Sequence, residues 1–309
     1  MKHILITGIE GFVGTHLAKY LQDKGYQISG IYFQTPQQKI GRIFQADIRD
    51  YQKIFLIIKK LKPNVIFHLA AQSSVAQSEK NIKDAFSINV EGTLNILDAV
   101  NKLDFKTRII FISSCEVYGN QQVRLSEKSA TKPISFYAAT KLCAENICQY
   151  YYRRYRLDVV ILRPFSHTGI GQAEHFLFPR ITKQIAEIEA DLAKPILKIG
   201  NIEVRRDYLD ISDVIRAYEL AMRKGKAGEI YNITSEKPYS IKDALNYLLK
   251  LSTVRIKVKV DKQLVRKYDI TLLTGKTDKF RKVTGWQPKV EFFTTLKNLL
   301  EYYRQQIAQ

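Results

Sequence analysis

The first 21 residues carry the pattern that most restricts how this chain can fold. Residues 2–7 are mostly apolar and β-branched, a turn spaced Gly-x-x-Gly-x-x-Gly follows at 8–14, and residues 16–21 repeat apolar side chains at helical spacing. The segment is therefore predicted to be a strand, a tight turn and a helix. A strand that leads at once into a helix favours parallel pairing with a later strand, because parallel strands need such a crossover.

The same alternation continues along the chain. Further strands are predicted at 27–33, 65–69, 108–113 and 159–162, with helices at 51–61, 85–101 and 137–155. This order predicts an α/β fold with a Rossmann-type doubly wound parallel sheet. The pattern then changes. Residues 164–204 are irregular except for a helix around 179–190, 213–222 and 229–233 return to the sheet, and 236–309 mix helices with one strand at 254–260.

The glycine turn predicts a dinucleotide site. Gly8, Gly11 and Gly14 would let the backbone approach a pyrophosphate, while the helix that follows supplies free N–H groups and a favourable dipole. The alternative is an ordinary tight turn, but its place directly after the first strand favours the dinucleotide. Cofactor contacts are therefore predicted at Gly8, Gly11, Phe12, Val13 and Gly14, and at Asp47 and Ile48, which follow the third strand beside the expected adenine ring.

The end of the second strand should distinguish NAD from NADP. A carboxylate there bonds the ribose 2′-hydroxyl and repels a 2′-phosphate. The segment Gly30–Thr35 carries no acid, and Lys39 and Arg42 are the nearest cations. The sequence therefore permits NADP without excluding NAD.

Two domains are expected from the change of pattern after residue 163. The NAD(P)-binding Rossmann domain is predicted at 1–163, with 207–235 returning to it, and a smaller mixed α/β substrate lobe at 164–206 and 236–309. A chain of 309 residues with 45% hydrophobic content is long enough to bury a core of this size.

A serine, a tyrosine and a lysine form the predicted catalytic set. Ser114 follows the strand at 108–113, while Tyr137 and Lys141 open the next helix and lie on one face of it. A nearby ammonium favours the phenolate, so a tyrosine with an ordinary pKa of about 10 would exchange protons near neutral pH. Tyr-x-x-x-Lys arises by chance in many chains, but here it follows a glycine turn and a strand-end serine.

These motifs resemble those of the extended short-chain dehydrogenase/reductases that act on nucleotide sugars, over essentially the whole chain. The shared segments are Thr7–Gly14, His68–Val75, Asn89–Thr93, Ser113–Gly119 and Tyr137–Lys141. The segments most similar to the GDP-mannose branch are His68–Val75, Phe165–Gln172, Lys198–Glu203 and Arg206–Tyr208. Within that branch, Lys183–Glu189 and Gly285–Pro288 look most like GDP-4-keto-6-deoxy-mannose reductases.

The resemblance implies roles for individual residues. Ser114, Tyr137 and Lys141 would be catalytic, with Lys141 also holding the nicotinamide ribose. The implied cofactor contacts are Leu69, Ala70, Ala71 and Pro164. The implied nucleotide-sugar contacts are Ser73, Ser74, Ser166, Arg206, Arg266 and Asp269, where arginine suits a diphosphate. The chain departs from the family at Ser166, where relatives commonly have asparagine, and at Lys267, where a proline is usual.

The direction of the reaction depends on Glu116. In GDP-mannose 4,6-dehydratases a carboxylate there removes the C5 proton, but the reductases that resemble this chain keep it too. Dehydratases acting on dTDP-glucose have an Asp-Glu pair where this chain has Cys115 and Glu116. GDP-mannose dehydratases are also typically longer than this chain, and they have an arginine-rich loop after the second strand, which the segment Gly30–Gln38 lacks. We therefore expect NAD(P)H-dependent reduction of the C4 ketone of GDP-4-keto-6-deoxy-D-mannose to GDP-D-rhamnose, with a 4,6-dehydratase or a 4-epimerase as the alternative.

The chain is strongly basic, with 49 Lys and Arg against 30 Asp and Glu, a net charge of +19. The cations are spread from Lys2 to Arg304 instead of clustering with aromatics, which favours a basic surface for an anionic small substrate over nucleic-acid binding. A non-catalytic RNA-binding or redox-sensing scaffold is a remote alternative, since such proteins usually lose the Tyr-Lys pair.

Location and assembly are also predicted. No apolar run approaches the roughly 20 residues that span a bilayer, so a cytoplasmic protein without membrane contact is expected. Three cysteines without Cys-x-x-Cys spacing indicate neither a disulfide framework nor a metal site.

A homodimer is expected because the helices at 85–101 and 137–155 pair across the interface in this family. Ile147, Tyr151 and Tyr155 are spaced for such a stripe, although they would equally suit a core.

Overall fold

Alternating apolar side chains decide how the large sheet is covered. In a computed structural model that describes residues 2–35, 40–265 and 269–308, the first strand is β1 (His3–Thr7). Ile4 and Ile6 pack into the core on one face of the sheet, and Leu5 packs into the core on the other. A strand buried on both faces belongs in a parallel sheet covered by helices on both sides.

The large sheet has seven parallel strands. Its other strands are β2 (Gln27–Tyr32), β3 (Arg42–Gln45), β4 (Val65–His68), β5 (Arg108–Ile112), β6 (Asp158–Pro164) and β10 (Ile230–Ile233). They lie in the order β3-β2-β1-β4-β5-β6-β10. The order reverses between β1 and β4, and in open α/β sheets ligands bind in the crevice at that point, outside the carboxyl ends of the strands. The doubly wound fold predicted from the sequence is confirmed.

Five long helices cover the two faces. On one face lie α1 (Phe12–Asp23) and α8 (Ile211–Lys224), and on the other lie α2 (Tyr51–Leu61), α5 (Gly92–Leu103) and α6 (Phe136–Tyr155). Helix α1, for example, buries the apolar stripe that its sequence spacing predicts, with Leu17 and Leu21 in the core.

The helix predicted at 85–101 is a composite in the structure. Two short helices, α3 (Val75–Lys80) and α4 (Ile82–Phe86), precede a π-helical turn at Ser87–Glu91, and α5 continues from it. The turn contains Asn89, which is buried and hydrogen-bonded to groups outside its own helix. Such π-turns inside helices are frequent at functional sites.

Residues after 164 contain more strands than the irregular pattern predicts. One small sheet is formed by β7 (Ser166–Thr168), β9 (Arg205–Asp210), β11 (Pro238–Ser240) and β13 (Leu272–Leu273), and another by β8 (Ile196–Ile199) and β12 (Lys257–Val260). Around them pack α7 (Leu177–Glu189), α9 (Ile241–Leu251) and α11 (Phe292–Ile307). Strands this short carry little local periodicity, and partners far away in the chain define them.

The last short helix refines the predicted division into domains. Helix α10 (Asp278–Thr284) places Phe280 in the same core cluster as Tyr218 of α8, and Trp286 joins them just after the helix. This part of 236–309 therefore lies against the large sheet, while α9 and α11 form a separate core. The predicted boundaries stay a proposal.

For Ile147, Tyr151 and Tyr155 the sequence left two alternatives open, a dimer stripe or a core. Tyr151 is only 7% exposed and belongs to the sheet core, and Ile147 packs beside it. The exposed residues of α6 are Ala139, Asn146, Tyr150, Arg153, Arg154 and Tyr155. Among the residues described, no helix combines the length and apolar character needed to cross a membrane.

Candidate active site

The glycine turn lies against the loop that follows β4. Gly8 has φ +68°, and a Cβ added there would lie 2.9 Å from the Cα of Ala70. A Cβ on Gly14 would collide with the carbonyl oxygen of Gly8. Glycine is therefore required at both positions, and the close backbone approach leaves room for a ligand above the turn.

Helix α1 starts at Phe12 without a side-chain cap. Gly11 is its N-cap, and its first turn contains no acidic residue. The free N–H groups and the positive end of the helix dipole therefore suit an anion such as a pyrophosphate. The turn and helix thus fit NAD or NADP at the predicted residues Gly8, Gly11, Phe12, Val13 and Gly14.

The loop at Leu69, Ala70 and Ala71 is fastened to β1 beside that turn. The Leu69 N–H donates to the Thr7 carbonyl oxygen at 3.2 Å, and the Ala70 N–H donates to Thr7 Oγ1 at 3.2 Å. The preceding His68 ring bonds Thr7 Oγ1 at 2.8 Å, and burial lowers its pKa to about 3. His68 is therefore neutral, and it supports the loop.

Asp47 and Ile48 follow β3 at the same edge of the sheet. Arg49 binds the Asp47 carboxylate, with Nη2 2.6 Å from Oδ2, and this contact lowers the pKa of Asp47. Ile48 is buried against Gly92 at the start of α5. Their contact with an adenine ring stays a prediction.

Ser114 and Tyr137 come together where β5 ends and α6 begins. Ser114 caps a short 3-10 turn at Cys115–Tyr118, and its Oγ accepts from the Glu116 N–H at 3.1 Å. The Ser114 hydroxyl is also hydrogen-bonded to the Tyr137 phenol. Ser135 caps α6 and so fixes where the helix, and with it Tyr137, begins.

The pKa of Tyr137 differs from the sequence-based expectation. Burial raises the pKa of the phenol well above its ordinary value, the Ser114 hydrogen bond opposes the rise, and the nearby Glu116 adds to it. Lys141 is 4% exposed and holds its Nζ 4.6 Å from the centre of the Phe111 ring. The ammonium is therefore packed against an aromatic face. The raised pKa of Tyr137, caused by its burial, keeps the phenol protonated at neutral pH.

Lys141 itself is an easily deprotonated lysine. Burial lowers its pKa to about 8, while Cys148 and Glu145 act in the opposite direction. Glu145 lies one helical turn after Lys141 and forms a buried bidentate pair with Arg163, with contacts of 2.9 and 2.6 Å. This pair was not predicted from the sequence, although Lys141 and Glu145 share the spacing that joins Tyr137 to Lys141.

Asn89 is a second residue that the sequence analysis left without a role. Its Oδ1 accepts from the Gln72 N–H at 2.8 Å, and its Nδ2 donates to Thr140 Oγ1 at 2.9 Å. The Thr140 hydroxyl donates to the Tyr137 carbonyl oxygen at 2.7 Å. Asn89 therefore ties the loop after β4 to the first turn of α6. Its place in the Asn-Val-x-Gly-Thr segment was the available signal.

The substrate lobe joins two predicted residues. Arg206 Nη2 lies 2.8 Å from Asp269 Oδ1, and the arginine is buried. Arg266 and Lys267 fall outside the described residues, as does Lys39. A buried guanidinium with further N–H donors is suited to a phosphate at this position.

The other predicted substrate residues are spread around the crevice. Pro164 ends β6, and Ser166 begins β7 paired with Tyr208 of β9. Ser74 caps α3 by accepting from the Gln77 N–H at 3.3 Å, and Ser73 before it is exposed. Their contacts with substrate stay predictions.

Cys115 points away from solvent. It packs in an apolar cluster with Val117, Tyr118 and Phe165, and burial holds the pKa of its thiol well above the ordinary value. The neighbouring Glu116 lies close enough to Tyr137 to raise the pKa of the phenol.

In the part of the chain described here, no group of His, Cys, Asp and Glu side chains could hold a metal ion.

Comparison with known proteins gives matches over nearly the whole chain. A sequence profile for the family described as GDP-mannose 4,6 dehydratase matches residues 5–299. A GDP-6-deoxy-D-mannose reductase from Pseudomonas aeruginosa is 28% identical and covers 100% of this chain and 99% of the relative. A GDP-mannose 4,6-dehydratase from Yersinia enterocolitica is 27% identical, covering 94% and 90%. The solved structure of RMD from Pseudomonas aeruginosa complexed with NADPH has a TM-score of 0.88 at 28% identity, covering 99% of this chain and 100% of that chain.

Proposed function

The chain belongs to the GDP-mannose 4,6 dehydratase family, and from that premise we propose that it reduces the C4 ketone of GDP-4-keto-6-deoxy-D-mannose to give GDP-D-rhamnose. It is an NAD(P)-dependent enzyme of the extended short-chain dehydrogenase/reductase family that modifies nucleotide sugars, as its resemblance indicated. The choice of reaction rests on the proton donor at the centre of the site.

The protonated Tyr137 phenol carries this proposal. Reduction of a ketone needs one group that gives a proton to the carbonyl oxygen. Burial raises the pKa of Tyr137, so the phenol holds its proton at neutral pH, and Ser114 is hydrogen-bonded beside it. The pair therefore offers a proton and a second hydrogen bond to the same substrate oxygen.

Ser114, Tyr137 and Lys141 each have a task in this reaction. The glycine turn and Lys141 would hold NAD(P)H, which when bound would supply the hydride. Tyr137 gives its proton to the oxygen that gains negative charge, and Ser114 donates a hydrogen bond to that oxygen. The phenolate left on Tyr137 would then be stabilised by the Lys141 ammonium.

Dehydration is the second candidate, and Glu116 is the observation that favours it. Removal of water across C5 and C6 needs a base for the C5 proton and an acid for the departing hydroxyl. Glu116 lies beside Tyr137 and would suit the first task. The residue before it is the buried Cys115, whose raised thiol pKa makes it a poor acid. Reduction therefore fits these side chains better than dehydration.

The substrate lobe supports an anionic nucleotide substrate. Arg206, held by Asp269, would bind the diphosphate, and the net charge of +19 would draw such an anion towards the protein. The assignment of guanine as the base of the nucleotide is supported by the family and the relatives alone.

A homodimer through α6 and the helices before it is part of the proposal. Tyr150 is 50% exposed on α6, and Phe86 and Leu94 are 42% and 39% exposed on the segment from α4 to α5. Exposed apolar and aromatic side chains on neighbouring helices suit a self-complementary contact between two copies.

Product analysis distinguishes the reactions. The protein is incubated with GDP-mannose alone, and separately with GDP-4-keto-6-deoxy-D-mannose plus NADH or NADPH, and products are identified by NMR. We expect dinucleotide oxidation only with the keto sugar, and formation of GDP-D-rhamnose. Conversion of GDP-mannose without added dinucleotide would instead indicate the dehydratase.

A further inference from the structure

A carboxylate reaches the end of β2 from the glycine turn. Glu10 lies between Gly8 and Gly11, and its Oε1 accepts from the Phe33 N–H at 2.8 Å and from the Gln34 N–H at 3.4 Å. These two N–H groups directly follow β2, which ends at Tyr32. The second strand itself carries no acid at this point, so the charge comes from a residue more than twenty positions earlier in the chain.

The backbone around Glu10 is fixed in position. The Gly8 N–H donates to the Ile31 carbonyl oxygen at 2.8 Å, which fastens the turn to β2. A Cβ on Gly30 would lie 2.5 Å from atoms of the Ile9 side chain, so the turn packs closely over the strand. The Glu10 carboxylate is therefore held at the strand end by two independent contacts of its neighbours.

The second oxygen of Glu10 is unpaired. Oε2 is shielded from water and has no hydrogen-bond partner among the residues that the structure describes. An unpaired acceptor costs free energy, and turning the carboxylate towards a hydroxyl donor would relieve that cost. A phosphate brings only acceptor oxygens and further negative charge, and in a shielded position the repulsion between two anions is strong.

Among the residues that the structure describes, the cations near this point are engaged or distant. Arg42 pairs in register with Ser29, towards the start of β2, and so lies away from the strand end. Arg49 after β3 is bound to Asp47 and to Asp84. Within residues 2–35 and 40–265, the strand end therefore presents a carboxylate and two occupied N–H groups, and these are unsuited to a 2′-phosphate.

We propose that Glu10 makes the enzyme selective for NAD(H) over NADP(H). In dinucleotide folds an acid at the end of the second strand bonds the ribose 2′-hydroxyl, and a cation there accommodates the 2′-phosphate. Glu10 supplies that acid from the glycine turn. The inference rests on the cofactor class of the proposed function and is independent of which sugar is bound.

The test measures binding without any sugar. NADH and NADPH are titrated separately and the dissociation constants are obtained from nicotinamide fluorescence. We expect NADH to bind about tenfold or more tightly than NADPH, the ratio that one nearby charge can produce. The same preference is expected for ADP-ribose over its 2′-phosphorylated form as competitors, which confines the effect to the adenosine half.

The Glu10→Gln variant removes the charge and keeps an oxygen for the Phe33 N–H. Its NADH-to-NADPH preference should fall to within about threefold of one, mainly through tighter NADPH binding. Glu189→Gln is the matched control, since Glu189 also accepts a backbone N–H, that of Thr253 at 2.9 Å, but lies in the other lobe. It should keep the wild-type preference.

Three results would overturn the proposal. They are wild-type protein that binds NADPH as tightly as NADH, a folded Glu10→Gln protein with unchanged preference, and wild-type protein that binds neither dinucleotide. The wild-type competition with ADP-ribose decides the matter even if the variant fails to fold. A clear preference for NADH without activity on the keto sugar would support the proposed cofactor selectivity and contradict the proposed reaction.

Discussion

Lys141 lies with its Nζ 4.6 Å from the centre of the Phe111 ring, and the lysine is 4% exposed. Phe111 belongs to β5 and Lys141 to α6, so the contact depends on the packing of the helix on the sheet. This position lowers the pKa of Lys141 to about 8 and leaves the phenol of Tyr137 protonated by its own burial. A protonated donor with an adjacent titratable cation is the arrangement that the following predictions test.

Tyr137→Phe should keep the fold and the binding of dinucleotide but lose turnover by about 10²–10⁴-fold, because only the proton donor is removed. Steady-state kinetics with the keto sugar, together with NADH titration, measures the two effects separately. Tyr150→Phe on the exposed face of the same helix should keep full turnover. Normal turnover by the Tyr137 variant would exclude Tyr137 as the proton donor.

Lys141→Met should stabilise the protein while it abolishes activity. A lysine whose folded-state pKa is about 8 binds its proton more weakly than in the unfolded chain. The resulting penalty is fully present below about pH 8 and decreases as the pH rises towards the unfolded value of 10.5. Removing the charge at pH 7 should therefore raise the free energy of unfolding, by on the order of 1–3 kcal/mol.

Thermal melts at pH 7 check this gain in stability. The exposed Lys59→Met serves as the control, and it should change the free energy of unfolding by about 0.5 kcal/mol or less. A melting temperature that falls in Lys141→Met would show that the buried ammonium stabilises the fold.

The pH dependence of kcat/KM should show an alkaline limb from Lys141. As the pH rises through about 8, the enzyme that has not yet bound the keto sugar loses the ammonium that would stabilise the Tyr137 phenolate, and the rate falls. The profile is measured with the keto sugar and saturating dinucleotide. A rate that stays constant through pH 9 would contradict the assignment.

Glu145→Gln should destabilise the fold, because it leaves the Arg163 guanidinium buried without its charged partner. Breaking one side of a buried ion pair costs about 3–5 kcal/mol. Since Glu145 raises the pKa of Lys141, the same change should also move the alkaline limb to lower pH. Urea unfolding measures the first effect and the pH profile the second.

A double variant separates these two contributions. Replacing Glu145 with Leu and Arg163 with Met removes both charges, so most of the lost stability should return while the shift of the alkaline limb remains. Recovery of both properties would show that the pair supports the fold alone and leaves Lys141 unaffected.

Much of the site could be predicted from the local sequence. The glycine spacing after β1 predicted the turn that Gly8 and Gly14 form, and Tyr137 and Lys141 were predicted on one face of a helix because four residues make about one turn. Motif order in the chain was enough to place Ser114 at the end of β5 and so near Tyr137. The roles of these residues in binding and catalysis stay predictions.

Tertiary structure alone decided the rest. The sequence determined the α/β class and the order of strands and helices, because both follow from periodicity between near neighbours. It left open which side chains are buried, where the short strands pair, and which charges meet across elements. Tyr151 lies in the core, β8 pairs with β12, and Glu10 reaches the end of β2 because of packing between segments far apart in the chain. Burial of that kind also sets the pKa values of Tyr137 and Lys141, since desolvation depends on what surrounds a group in space.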